Sequence, residues 1–89
     1  MQRLRPKTRK RHEPDAEELA FRQALGQRIR ALRAPNYSQD EFAEVIDVFR
    51  SHVSTIETGK TDLKLSTLLR IAAALDLTVD ELLRDLEGG

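Results

Sequence analysis

The residues best placed to do chemistry lie between Tyr37 and Lys60, in the run YSQDEFAEVIDVFRSHVSTIETGK. The run reads as two short helices broken by a tight turn. The second helix carries polar side chains on a face that a packed core does not need. Two such helices crossing over a turn of about three or four residues form a helix-turn-helix, whose second helix can enter the major groove of DNA. The chemistry would be recognition rather than bond breaking. Catalytic readings find little to build on. Ser51 and His52 are adjacent, and neighbours on a helix point in different directions. The chain shows no acid–base pair, no glycine-rich phosphate loop and no metal-ligand cluster. It has no cysteine, and His12 and His52 lie far apart, so zinc is not expected. Neither enzyme activity nor a cofactor is expected.

The elements that must position this segment fit in one domain, since the chain has 89 residues. Apolar residues make up 39% and charged ones 34%, as in a soluble globular domain. No apolar run approaches the ~18 residues of a membrane span. No apolar stretch follows the basic N-terminus as a signal peptide requires, so the cytoplasm is the expected compartment. The formal net charge is zero, yet it is unevenly placed. Residues 1–12 hold Arg3, Arg5, Lys7, Arg9, Lys10 and Arg11 and no acid. Residues 13–89 hold nine basic and fifteen acidic side chains, a net of −6. Residues 1–14 have one large apolar residue, Leu4, and two prolines. They are expected to be a disordered basic arm, because they cannot bury enough surface to offset ordering. The arm either helps to hold DNA, in a minor groove or along phosphates, or is a solvated tail.

Residues 15–87 are expected to fold as five helices, with no β-alternating segment. Asp15 caps the first, with Glu18 at the capping-box position. Phe21, Leu25, Ile29 and Leu32 share its inner face. Ala34-Pro35-Asn36 ends it, because the residue before proline is pushed out of the helical region. Ser38 and Glu41 form the capping box of the second helix, with Phe42, Ala43 and Ile46 inward. Asp47-Val48-Phe49 makes the turn, with Asp47 in a left-handed conformation. The third helix covers about Arg50 to Thr58, with Val53 and Ile56 inward and Gly59 as a left-handed stop. The fourth runs from Leu65 to about Leu75, with Leu65, Leu68, Leu69, Ala72 and Leu75 at core spacing. Thr78 and Glu81 box the fifth, whose stripe is Val79, Leu82, Leu83 and Leu86. Val79 and Leu82 complete the core, and Leu83 and Leu86 are left as a candidate dimer interface. A folded part of about 70 residues buries little core, so association would add stability.

These residues carry a family resemblance. From about Leu25 to Leu83 the chain resembles the phage-repressor/Cro-like helix-turn-helix family, also called XRE. The motifs are Ser38-Gln39-x-Glu41-Phe42-Ala43 and Arg50-Ser51-x-Val53-Ser54-x-Ile56-Glu57-x-Gly59-Lys60. Downstream come Leu65-x-Thr67-Leu68-Leu69-Arg70-Ile71-Ala72 and Leu77-Thr78-Val79-Asp80-Glu81-Leu82. The resemblance implies an all-α, five-helix, lambda-repressor-like domain that binds palindromic double-stranded DNA as a homodimer. It places Arg50, Ser51 and Thr55 at base-facing positions, with His52 close enough to join them. It places Gln39, Thr58 and Lys60 where phosphates are held. It implies a structural pair between Arg33 and Glu57.

Three positions depart from the family pattern. Asp47 stands where glycine is common, and Leu63 where proline is common. Phe49 stands where a small capping residue is usual, a loss of about 1 kcal/mol. Either Phe49 packs, the reading favoured here, or it touches DNA. The residue types suit recognition. Arg50 can donate two hydrogen bonds to guanine O6 and N7, worth roughly 1–3 kcal/mol of discrimination. Ser51 and Thr55 are short and serve any base. The expected function is a sequence-specific transcriptional regulator, a repressor or autoregulator. The alternative is an antitoxin, a protein-binding module whose main partner is a toxin.

Overall fold

The computed structural model describes residues 13–86. The basic residues Arg3, Arg5, Lys7, Arg9, Lys10 and Arg11 lie outside the described residues. Within them the chain forms five helices and no strand: α1 (Ala16–Arg33), α2 (Gln39–Ile46), α3 (Arg50–Glu57), α4 (Leu65–Ala74) and α5 (Val79–Leu83). No described helix is long and apolar enough to cross a membrane.

Side-chain caps start three of the helices. Asp15 Oδ1 accepts from the Glu18 N–H at 2.9 Å. Ser38 and Glu41 bond reciprocally, at 3.1 and 2.8 Å. Thr78 and Glu81 do the same, at 3.0 and 2.9 Å. Each bond satisfies an N–H that the first helical turn leaves without a partner. Left-handed residues stop three of them. Asp47 has φ 62°, Asp76 has φ 61° and Gly59 has φ 76°. After each, an N–H returns to a carbonyl five residues back: Val48 to Ala43, Lys60 to Thr55 and Leu77 to Ala72, at 3.0, 2.9 and 2.9 Å. These closures satisfy the last carbonyls and set the short connections.

The core collects one face of every helix. Ile29, Phe42, Ile46, Val53, Ile71 and Leu82 are wholly buried, each side chain contributing roughly 1.5–3 kcal/mol. α1 packs on α3 and α5, α2 on α3 and α4, and α4 on α5. Tyr37 leans on Phe42 with ring centroids 5.5 Å apart, and its hydroxyl donates to the Ala74 carbonyl at 3.2 Å. Arg70 Nε donates to the Ile46 carbonyl at 2.8 Å, tying α4 to the end of α2.

The structure corrects three expectations. Leu65 and Leu69 are 67% and 51% exposed, and the buried face of α4 is Thr67, Ile71 and Ala72. The apolar residues of this helix span a wide arc broken by Ser66, Thr67 and Arg70, so periodicity does not fix which edge of the arc is inside, and its contacts with α2 and α5 choose it. Phe49 is not a packing residue, since it is 84% exposed. Leu86 is not free to form an interface. α5 ends at Leu83, and the chain then turns through a left-handed Asp85. Leu86 is thereby folded beside Phe21 and Ala24 of α1 and buried in the monomer core, with Leu83 half-buried against it.

Glycine sets how closely α1 approaches α3. A methyl group on Gly26 would lie 2.5 Å from the Ile56 carbonyl oxygen and 2.6 Å from that of Glu57. One on Gly59 would meet the Gln23 backbone at 2.7 Å. Helix propensity alone makes Gly26→Ala stabilising by about 1 kcal/mol. The backbone clash reverses the sign, and the variant is expected to lose about 1–3 kcal/mol in urea unfolding. A raised unfolding midpoint would contradict the close α1–α3 contact.

Candidate nucleic-acid interface

α3 has two unlike faces. Val53, Ile56 and Glu57 are buried, while Arg50, Ser51, Ser54 and Thr58 are exposed. His52 and Thr55 lie at the boundary, half-buried. The left-handed turn at Asp47 crosses α2 over α3, and the inner residues seat α3 against both α1 and α2. The outer residues are surplus to folding and free to meet a ligand.

One buried cluster fixes the angle of α3. Arg33 Nε and Nη2 donate to Glu57 Oε2 and Oε1, each at 2.8 Å. Arg33 Nη1 also donates to the Tyr37 carbonyl at 3.1 Å. Gln39 Nε2 donates to Glu57 Oε1 at 3.1 Å. A single carboxylate thus joins α1, α2 and α3. Both Arg33 and Glu57 are buried. The hydrogen bonds to Glu57 hold the Arg33 guanidinium above the ordinary arginine range, burial opposes them and the Glu57 charge adds to them. A raised folded pKa means that Arg33 stays charged at neutral pH and below. Its share of stability is lost only as pH climbs past the arginine range.

The other sequence-derived positions fall around this outer face. Arg50 Nε sits 3.4 Å from Asp40 Oδ1, an exposed ion pair between α3 and the first turn of α2. Such pairs contribute little to stability, roughly 0–1 kcal/mol. Thr55 Oγ1 donates to the His52 carbonyl at 2.8 Å, and Thr58 Oγ1 to the Ser54 carbonyl at 2.9 Å. Both hydroxyls therefore spend their proton on the helix, and Thr55 Oγ1 also lies 3.4 Å from His52 Nδ1. His52 lines a cleft with Phe49, Lys64, Thr67 and Arg70. Lys60 is exposed at the C-terminal stop of α3. Gln39 is half-buried, and its amide nitrogen is already engaged. The first turns of α1, α2 and α5 each hold two acidic residues, whereas those of α3 and α4 hold none.

Sequence reasoning passed over Gly26 and Arg70 as positioning residues. A lone glycine inside a strong helix was the available signal for the first. The second carried none, because its acceptor is a carbonyl 24 residues away.

No described group of acidic or histidine side chains is arranged to hold a metal. An eight-residue helix that turns a polar face outward, across a tight left-handed turn from a second helix, defines a helix-turn-helix domain. Residues 24–86 match the family model described as a helix-turn-helix domain. The chain is 39% identical over 65 residues to the control protein C.MunI of Mycoplasma sp., covering 71% of this chain and 88% of that protein. It superposes on the restriction-modification controller protein C.AhdI of Aeromonas hydrophila with a TM-score of 0.64 and 36% identity, covering 73% and 96% of the two chains. It also superposes on SinR, a master regulator for biofilm formation solved in complex with DNA, with a TM-score of 0.60 and 38% identity over 66% and 97%. The chain belongs to the helix-turn-helix domain family, a family of DNA-binding regulators rather than of enzymes, and is a DNA-binding transcriptional regulator.

Removing Arg33 would strand a buried carboxylate. Arg33→Ala is expected to cost about 3–5 kcal/mol in urea unfolding. Arg33→Lys should cost less, since it keeps a charge but not the two-pronged geometry. Equal losses for the two would show that the fork geometry is unimportant.

Proposed function

We propose that the protein lays α3 in the major groove of a palindromic operator and regulates transcription there, as a repressor or autoregulator. The observation that carries this reading is the division of α3, with Arg50, Ser51, Ser54 and Thr58 outside and no carboxylate in its first turn. The resemblance to C.MunI and C.AhdI supports the regulatory role.

In this reading Arg50 is the main reader. Its exposed guanidinium is steered by Asp40 and pairs with guanine O6 and N7. Asp40 is an exposed carboxylate near the groove, and Arg50 offsets its repulsion of phosphate. Ser51 is free to donate or accept. Thr55 serves as an acceptor for an adenine or cytosine amino group. His52, at the edge, reaches a base or the backbone. Gln39, Thr58 and Lys60 hold phosphates, which set register without reading sequence. Gln39 meets phosphate while its amide nitrogen braces Glu57.

A homodimer places two copies of α3 ~34 Å apart, one turn of DNA. Leu86 belongs to the monomer core, so the two-fold contact is assigned instead to Leu65 and Leu69. They stand one turn apart on α4 and form its exposed apolar surface.

Selection from random duplexes followed by sequencing tests the reading, with a palindrome as the expected product. Arg50→Ala should weaken binding to that operator by roughly tenfold or more and relax preference at one base pair, since a bidentate contact is worth about 1–3 kcal/mol. Undiminished preference at every position would remove Arg50 from the readout. Leu65→Glu combined with Leu69→Glu should sediment as a monomer with an unchanged helical spectrum. An intact dimer would place the interface elsewhere.

A further inference from the structure

Phe49 is the large side chain for which the folded domain has least use. It is 84% exposed, more than any other large apolar residue described. It occupies the cap position of α3, with φ −74° and ψ 150°, and makes no side-chain cap. Its backbone does the local work, its carbonyl accepting from the N–H groups of His52 and Val53 at 2.9 and 3.3 Å. The inward direction of the turn is taken by Val48, which is half-buried against the core. The ring therefore caps nothing and packs on nothing that buries it.

Its position is specific. Phe49 immediately precedes Arg50 and Ser51, both exposed on the outer face of α3. A groove with Asp40, Glu44 and Arg50 runs on its α2 side, and a cleft with His52, Lys64 and Arg70 on its α4 side. The other exposed large apolar residues, Leu19, Val45, Leu65 and Leu69, belong to α1, α2 and α4. Phe49 alone among them lies at the leading end of α3.

We propose that Phe49 is a base-reading residue whose ring packs against the 5-methyl group of a thymine, beside the base pair met by Arg50. The proposal rests on the reading that the outer face of α3 lies in the major groove. A phenyl ring offers no donor or acceptor matched to the guanine, adenine or cytosine edges. The thymine methyl is the apolar group that the major groove displays, and aromatic and small apolar side chains read it by contact. Contact removes both ring and methyl from water, which is where the free energy arises. The ring thus adds a preference that Ser51 does not supply, and the deoxyuridine response of Phe49→Ala separates it from any contact by the Thr55 methyl.

The test uses the full chain and its selected operator. Each thymine is replaced in turn by deoxyuridine, which deletes the methyl group and keeps every hydrogen-bonding edge. One thymine per half-site should show a loss of roughly three- to tenfold in affinity for the wild type. Phe49→Ala should bind the unmodified operator as weakly as the wild type binds the deoxyuridine form, and should not respond to deoxyuridine there. Phe49→Ser should gain a side-chain cap and unfold at the same or higher urea concentration while losing the same thymine preference. Opposite signs for stability and affinity separate this role from a packing role. Phe49→Ala binding as tightly as the wild type would overturn the proposal and leave the ring to a protein partner. A uniform loss with no deoxyuridine-sensitive position would also overturn it, pointing to a ring wedged between bases. If Arg50→Ala still relaxes preference at its base pair, the groove reading survives either failure. If no duplex is enriched at all, both fall.

Discussion

The buried carboxylate of Glu57 is the constraint on which the rest of the structure depends. It accepts two hydrogen bonds from Arg33 on α1 and a third from Gln39 on α2, while itself standing on α3. Three helices that could otherwise slide on apolar contacts are thereby given one relative angle. Apolar packing is non-directional, whereas a forked guanidinium–carboxylate pair tolerates little rotation. A buried pair of this kind is weak support for stability, because desolvation offsets much of its attraction. Its value here is geometric. It holds α3 at a set tilt to α1 and α2.

Around that point the backbones come unusually close. Gly26 lets α1 approach the last turn of α3, and Gly59 lets the end of α3 pass over Gln23. Side chains alone would keep these elements further apart. The result is a short helix gripped from inside along Val53, Ile56 and Glu57, with Arg50, Ser51 and Ser54 left outside the core. Thr55 and Thr58 give their hydroxyl protons to their own helix, so even the small groups on that face are oriented before any ligand arrives. Such preorganisation lowers the ordering cost of binding.

Much of this was legible in the amino-acid order. Ser38 and Glu41, and Thr78 and Glu81, announce helix starts because a cap needs those types at a three-residue spacing. Asp47 and Gly59 announce stops because few residues tolerate a left-handed backbone. The motifs from Ser38 to Leu82, taken together in order, indicated the family. Other features were not legible, for physical reasons. The run from Leu65 to Leu75 is apolar over a wide arc, so periodicity does not fix which edge of that arc faces inward. Leu86 follows Leu82 and Leu83 at helical spacing, yet the helix has already ended and the chain folds the residue back onto α1. Phe49 looks like core by composition and is solvent-exposed in fact. Whether an apolar residue is covered depends on what lies opposite it, and that is a non-local property.

The order of residues by itself determined the all-α class, the starts of α1, α2 and α5, the turn between α2 and α3 and the family. All but the family follow from local backbone preference or from short-range hydrogen bonds within a few residues; the family rests on the resemblance of the ordered motifs. Tertiary structure alone decided which face of α4 is buried, that Leu86 belongs to the core, that Phe49 is left outside and how closely α1 meets α3. Those outcomes rest on contacts between residues far apart in the chain. Steric fit between backbones, and a carboxylate shared among three helices, act only once the chain has closed on itself.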